Sequence, residues 1–300
     1  MKILPAEHRG MCFGVRDAIE IAKTEIAQRP VTLLGDLVHN ETVMADLRRR
    51  GVLLRTDLDD LPTQRVMITA HGASQARMDM LKERGLDVVD TTCPLVRRAH
   101  SALAGLVAQG FHPVVIGQRG HVEVRGLTED YPECDVILTP EDVAQMTARE
   151  RFGVVSQTTQ PKVRVDALRA CLAERFPNAE IRFRDTVCQP TKDRQRAAME
   201  LAQRCDVVVV IGGAASNNTR ELASSCRRYC PKTYAVQSAQ DLNRDWFWAG
   251  SVVGVTAGTS TPDIVIEGVE SVLHRWADEL NRAAREDSEP VHRLDLVPVS

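Results

Sequence analysis

Aromatic residues make up only 4% of this chain, and its 38 Lys and Arg are offset by 41 Asp and Glu. A formal charge of −3 leaves no basic footprint for nucleic acid, and so few rings give no stacking platform for bases. Met1 to Gly10 has no apolar signal-peptide core, and the longest apolar runs fall well short of a membrane span. No Gly-Lys-Ser/Thr follows a glycine-rich loop, no H-E-x-x-H pairs two histidines, and no C-x2-C pairs two cysteines. Neither nucleic acid nor membrane is therefore expected as a partner. Eight cysteines in 300 residues, without a leader, point to a reducing cytoplasm and to metal or redox use rather than a disulfide framework.

What the chain does have is one local pattern used three times. Asp90-Thr91-Thr92-Cys93 and Asp185-Thr186-Val187-Cys188 both read D-T-x-C after a short apolar run and before an amphipathic stretch. Cys12 follows Lys2-Ile3-Leu4 in the same way, without the Asp-Thr, and a basic residue stands four places after each cysteine: Arg16, Arg97 and Lys192. Gly35, Gly117 and Gly212 lie 23, 24 and 24 residues further on, each closing an apolar run. Polar clusters then recur, first His39-Asn40-Glu41, His121-Val122-Glu123 and Ser216-Asn217-Asn218, later Ala70-His71-Gly72, Gln157-Thr158-Thr159 and Gly258-Thr259-Ser260.

A period of roughly 80 to 95 residues is too long for a solenoid and reads as three copies of a small α/β unit. Continuous β-branched runs such as Val207 to Ile211, alternating with helical stripes, predict parallel strands buried on both faces. Because each cysteine ends one unit's last strand, the third unit needs the strand around Ile3 to complete it. The expected division is 13–93, 94–185, and 186–280 together with 1–12, three mainly parallel α/β domains arranged as a trefoil. Residues 281–300 read as a charged, loosely docked C-terminal extension.

Every polar cluster falls between a strand and a helix, where open α/β sheets bind ligands. A cysteine at a helix N-terminus feels the positive end of the dipole, which favours the metal-binding thiolate. Three converging thiolates suit either zinc or an iron–sulfur cluster, and one widely spaced ligand per unit fits a cluster at a domain junction. Three protein ligands on a four-iron cube leave one iron open. The loop Gly212 to Asn218 offers backbone and side-chain donors to an anion, with Ser260 nearby and His39 and His71 at equivalent places. Glu123, sharing a unit with His121 and Thr158, is placed to deliver protons. Glu41 reads as a solvated charge, and Cys134, Cys171, Cys205, Cys226 and Cys230 as packing or surface thiols.

At these residues the chain resembles the 4-hydroxy-3-methylbut-2-enyl diphosphate reductases of the non-mevalonate isoprenoid pathway, the IspH or LytB family. The resemblance is carried by Arg9-Gly10-Met11-Cys12-Phe13-Gly14-Val15, Val38-His39-Asn40, Ala70-His71-Gly72, Thr91-Thr92-Cys93-Pro94-Leu95-Val96 and Gly120-His121-Val122-Glu123. It continues through Gln157-Thr158-Thr159, Cys188 with Arg194-Gln195, Ser216-Asn217-Asn218 and Thr256-Ala257-Gly258-Thr259-Ser260, from about Lys2 to Trp276. It implies one [4Fe–4S] cluster per chain, held by Cys12, Cys93 and Cys188. It implies reductive removal of an allylic hydroxyl as water, giving isopentenyl and dimethylallyl diphosphate. In that scheme Glu123 donates the proton with Thr158 and His121 in its relay. His39, His71, Ser216, Asn218 and Ser260 hold the diphosphate, with Asn217 beside them, and a ferredoxin or flavodoxin supplies electrons.

Two positions depart from the family pattern. Asn217 stands where a second serine is usual, and Val122 where a proline is usual. The Asn217 amide can still donate to an anion, and Asn217→Ser is expected to leave turnover intact or raise it. Its bulk also admits a divergent paralogue acting on another allylic diphosphate. A non-catalytic iron–sulfur carrier or sensor would explain the cysteines but give Glu123, His121 and the anion loop no role. A metal-dependent hydrolase built on the histidines and Glu123 would leave three matched cysteines unexplained.

Overall fold

Short apolar runs become strands and amphipathic stretches become helices through residues 1–286, the part of the chain that the computed structural model describes. The chain opens with β1 (Lys2–Pro5) and α1 (Phe13–Gln28). Then come β2 (Thr32–Leu34), α2 (Glu41–Arg49), β3 (Leu53–Arg55), β4 (Arg65–Ile68), α3 (Gln75–Glu83) and β5 (Asp87–Asp90). A second round runs α4 (Pro94–Val107), β6 (His112–Ile116), α5 (Val122–Thr128), β7 (Asp135–Ile137), α6 (Pro140–Gln145), β8 (Arg151–Ser156), α7 (Lys162–Arg175) and β9 (Glu180–Phe183). The third contains α8 (Gln189–Ala202), β10 (Val207–Ile211), α9 (Asn217–Arg227), β11 (Thr233–Val236), β12 (Val252–Ala257) and α10 (Asp263–Glu286).

Among the described residues these strands form three four-stranded sheets, ordered β3-β2-β4-β5, β7-β6-β8-β9 and β11-β10-β12-β1. Every pairing is parallel. In the third sheet β1 occupies the edge that β5 and β9 occupy in the others, in register from Lys2 opposite Val252 to Pro5 opposite Val255. The strand around Ile3 therefore completes the last sheet, and each of the three cysteines follows an equivalent edge strand.

The continuous apolar run of β10 is buried on both faces. Val207, Val209 and Ile211 pack with Ile266, Val269 and Leu273 of α10, whereas Val208 and Val210 pack with Ala198 and Ala202 of α8 and Leu222 and Ala223 of α9. Each of these Val, Ile and Leu side chains removed from water contributes about 1.5–3 kcal/mol. Cys226 and Cys230 belong to this second cluster as core thiols, and Cys205 packs against it. Gly51 and Gly85 end α2 and α3 with φ of +94° and +73°, the left-handed turn that a β-carbon disfavours.

The apolar face of α10 runs on through Ala277 and Leu280, which face the same core, and the helix crosses residue 281 and continues to Glu286. Asn281, at the expected start of an extension, donates from Nδ2 to the Met1 carbonyl at 3.0 Å. Residues 287–300 of that extension lie outside the described residues.

In each sheet the chain leaves two adjacent central strands toward opposite sides, which creates a topological switch point between them. His39 and His71 follow β2 and β4, His121 and Thr158 follow β6 and β8, and Ser216 and Ser260 follow β10 and β12. The fold thus places all six loops where parallel sheets present their ligands.

Candidate active site

The three switch points face one cavity. Cys12, Cys93 and Cys188 line it, as do His39, His71, His121, Glu123 and Thr158. Ser216, Asn217, Asn218 and Ser260 line it too, so every candidate ligand and proton-relay residue reaches this one space.

The D-T-x-C pattern has a direct structural reading. Asp90 Oδ1 accepts from the Thr92 backbone N–H at 2.9 Å and Asp185 Oδ1 from that of Val187 at 3.2 Å, fixing the turn before each cysteine. The threonine hydroxyls tie that turn to the neighbouring strand: Thr91 donates to the Ile68 carbonyl at 2.5 Å and Thr186 to that of Ser156 at 2.6 Å. The same aspartates pair with the basic residue four places past the cysteine, Arg97 at 2.9 Å and Lys192 at 2.8 Å. Arg16 pairs instead with Asp263 at 3.3 Å. The three cations are surface and interdomain charges.

Each cysteine is the N-cap residue of its helix, α1, α4 or α8, and none uses its sulfur to cap the helix. The α1 and α4 termini abut so closely that a Cβ on Gly14 would overlap Cys93 Sγ. From α8 the buried Arg194 reaches under the first loop, donating from Nε at 3.0 Å and Nη2 at 2.6 Å to the Gly10 carbonyl. The Cys188 thiol donates to Thr191 Oγ1 at 3.1 Å.

The thiolate expectation needs correcting for the protein alone. Burial pushes Cys188 up to about 11 and raises Cys93, while the Thr191 hydroxyl and the helix-terminal amides of Leu95 and Val96 pull the other way. The helix termini act with the expected sign, and desolvation outweighs them. A bound metal reverses that balance, since coordinated thiols lose their protons.

The residues fit an iron–sulfur cluster. Three sulfurs from three helix N-termini line the same cavity, Gly14 leaves room beside Cys93, and the buried Arg194 guanidinium lies under the loop that leads to Cys12. Among the described residues no three His, Cys, Asp or Glu side chains converge closely enough to hold a single ion. Sulfurs standing around a shared space are what a multi-metal cluster held at its corners requires.

Glu123 and Thr158 form another wall of the cavity. Glu123 is 2% exposed, and its Oε1 accepts from the Thr158 backbone N–H at 2.6 Å while Oε2 accepts from the Thr158 hydroxyl at 3.0 Å. Burial raises its pKa to about 7 against the lowering effect of those two bonds. His121 caps α5, its Nδ1 accepting from the Glu123 backbone N–H at 3.1 Å, which leaves Nε2 to carry the proton of the neutral ring. Burial takes His121 down to about 4, His71 well below its ordinary value and His39 below it too. The rings cluster, with His39 stacked on His71 at 4.3 Å and His121 edge-on to both at 5.2 and 5.7 Å. These are neutral donors rather than cations.

Ser216, Asn217, Asn218 and Ser260 form a further wall. Asn218 is 3% exposed, yet neither its Oδ1 nor its Nδ2 has a hydrogen-bond partner, and buried His39 Nδ1 also lacks one. Unpaired buried polar atoms cost about 1–3 kcal/mol each. Ser216 accepts from the Thr219 N–H at 3.3 Å as the α9 cap, and Ser260 Oγ donates to the His39 carbonyl at 3.4 Å. Thr158 and Thr159 do not cap α7, whose N-cap residue is Pro161. Glu41 begins α2 as an exposed partner of Arg48.

Thr191, Thr159 and Thr259 also line the cavity and carried no individual role in the sequence reading. For Thr191 a signal exists: a hydroxyl three places after a helix-capping cysteine returns to the cap. Arg194 stood in a quoted motif, but its partner Gly10 is 184 positions away, and no local pattern announces that contact.

A family model described as LytB protein matches residues 3–274. Proteins named 4-hydroxy-3-methylbut-2-enyl diphosphate reductase are similar over nearly the whole length. One from Pseudomonas fluorescens is 36% identical, covering 96% of this chain and 95% of its own. Another, from Acinetobacter baumannii, is 37% identical over 92% of this chain and 90% of its own. Among solved structures, the E-1-hydroxy-2-methyl-but-2-enyl-4-diphosphate reductase of Plasmodium falciparum superposes with a TM-score of 0.85 at 25% identity, covering 91% of this chain and 87% of that one. A structure of (E)-4-hydroxy-3-methyl-but-2-enyl diphosphate reductase, described as the terminal enzyme of the non-mevalonate pathway, gives 0.66 at 33% identity over 91% and 99%. With its fold and its sequence both matching, the chain belongs to the LytB protein family.

Proposed function

We propose that this protein is a 4-hydroxy-3-methylbut-2-enyl diphosphate reductase, removing the allylic hydroxyl as water with two electrons and two protons to give isopentenyl and dimethylallyl diphosphate. The observation that carries this reading is Glu123: a buried carboxyl with a pKa near 7, gripped by Thr158, in the same cavity as three cysteines at helix N-termini. A hydrolase or a simple electron carrier has no use for that combination.

Cys12, Cys93 and Cys188 would hold one [4Fe–4S] cluster. Bound there, the cluster supplies electrons and an iron without a protein ligand that acts as a Lewis acid. Glu123, protonated in a good fraction of molecules at neutral pH, holds a proton for the departing hydroxyl, and the Thr158 hydroxyl keeps its Oε2 oriented. His39 and His71 donate from neutral rings to the diphosphate. Asn218 gains partners it lacks in the protein alone, and Ser216, Ser260 and the first turn of α9 add short donors and the positive end of a helix dipole. One N–H of the Asn217 amide is free to join them. Val15, Val38, Leu95 and Val96 supply apolar surface for the five-carbon chain.

Among the described residues no helix is long and apolar enough to cross a membrane. We place the enzyme in the cytoplasm, with a ferredoxin or flavodoxin as donor, on the strength of its free thiols and the family resemblance.

The test is anaerobic turnover of 4-hydroxy-3-methylbut-2-enyl diphosphate by cluster-loaded protein, followed as oxidation of reduced methyl viologen. Turnover is expected in the wild type and lost, together with bound iron and sulfide, in Cys188→Ser. A loaded cluster without turnover, or full iron in the variant, contradicts the reading.

A further inference from the structure

Asn217 begins α9 in the third round of the fold, but its amide points across the cavity to the second. Its Nδ2 donates to Thr159 Oγ1 at 3.0 Å, and the side chain is buried at 4% exposure. Thr159 Oγ1 also accepts from Gln157 Nε2 at 3.3 Å. Gln157, itself fully buried, accepts on Oε1 from the Gln118 backbone N–H at 3.1 Å and from Gln160 Nε2 at 2.9 Å. The turn at 157–159 is thus braced within its own round by Gln157 and from outside by Asn217. Between those two anchors lies Thr158, whose N–H and hydroxyl hold both oxygens of Glu123.

We propose that Asn217 is a positioning residue for the proton donor: its N–H to Thr159 holds the 157–159 turn at the distance from which Thr158 grips Glu123. The inference rests on the reductase reading above. It reverses the sequence expectation for Asn217→Ser, because a serine carries its donor one bond nearer the backbone and falls short of Thr159. Asn217 then links the round that receives the diphosphate to the round that delivers the proton.

The test uses cluster-loaded Thr159→Val, Thr159→Ser, Asn217→Ser and the double variant Asn217→Ser/Thr159→Val. Small displacements of reacting groups cost large factors in rate, so kcat in Thr159→Val is expected to fall about tenfold, with KM and the Kd for inorganic diphosphate within about twofold of wild type. Thr159→Ser, which keeps the acceptor, restores kcat. Asn217→Ser loses kcat to a similar degree, and the double variant is no worse than the worse single. Independent, multiplying losses overturn the proposal, as does an Asn217→Ser protein that changes only KM and diphosphate affinity. Should the wild type fail to turn over, the infrared band of the Glu123 carboxyl, identified by its loss in Glu123→Gln, gives the answer without activity. Its titration moves to higher pH in Thr159→Val as the grip loosens, and an unmoved band contradicts the strap.

Discussion

Glu123 and Asn218 share a cavity and are equally hidden from solvent, at 2% and 3% exposure. Both oxygens of Glu123 are hydrogen-bonded by Thr158, whereas neither side-chain atom of Asn218 has a partner. One wall is finished and the other waits. A group whose work is to hold a proton at a fixed point is set by its neighbours in advance. A group whose work is to receive an anion keeps its donors free, at a cost in stability that the ligand relieves.

Asn218→Ala should separate the two walls most sharply. Removing hydrogen bonds to a charged ligand costs about 1.5–3 kcal/mol, so the Kd for inorganic diphosphate, measured by calorimetry, should weaken roughly 10- to 100-fold. The unliganded protein should hold or gain stability in a denaturant titration, since a buried amide without partners has been removed. A clear loss of stability would mean that Asn218 is already satisfied.

A smaller effect concerns the histidines. Burial keeps His39, His71 and His121 neutral, with His121 at about 4. An anion beside them favours the imidazolium and raises their pKa values toward neutrality. Diphosphate binding near pH 6.5 should therefore take up a fraction of a proton or more, seen as binding heats that differ between buffers of different ionisation enthalpy. Release of protons would contradict the assignment.

The smallest effect is on pH dependence. A general acid with a pKa near 7 loses its proton as pH rises, so turnover should decline above about 7. Thr158→Val removes one hydrogen bond to the charged carboxylate, which raises the Glu123 pKa and should move that decline to higher pH by less than about one unit.

Much of this was legible in the sequence because it is local. The D-T-x-C turns use residues within a few positions of each cysteine, and the strand around Ile3 betrayed its place because each of the other two cysteines closes a unit's last strand. Six loops between strands and helices announced His39, His71, His121, Thr158, Ser216 and Ser260. What stayed hidden depends on three-dimensional neighbours. Arg194 beneath Gly10 and Asn217 against Thr159 join segments with no shared pattern. The sign of the cysteine shifts turned on how deeply the thiols are buried, which a helix dipole argued from sequence cannot weigh. The charged composition after residue 280 reads as a tail, yet α10 continues to Glu286 and Asn281 bonds the Met1 carbonyl.

The most direct test of the account is Glu123→Gln, measured twice in the same cluster-loaded preparation. Turnover with reduced methyl viologen should fall at least about 100-fold, the contribution expected of a positioned general acid. Inorganic diphosphate should bind within about threefold of wild type, because the amide keeps the shape of the finished wall and leaves the waiting wall untouched. A normal rate would mean that the proton comes from elsewhere in the cavity. Loss of rate and affinity together would mean that the two walls are not the separate devices described here.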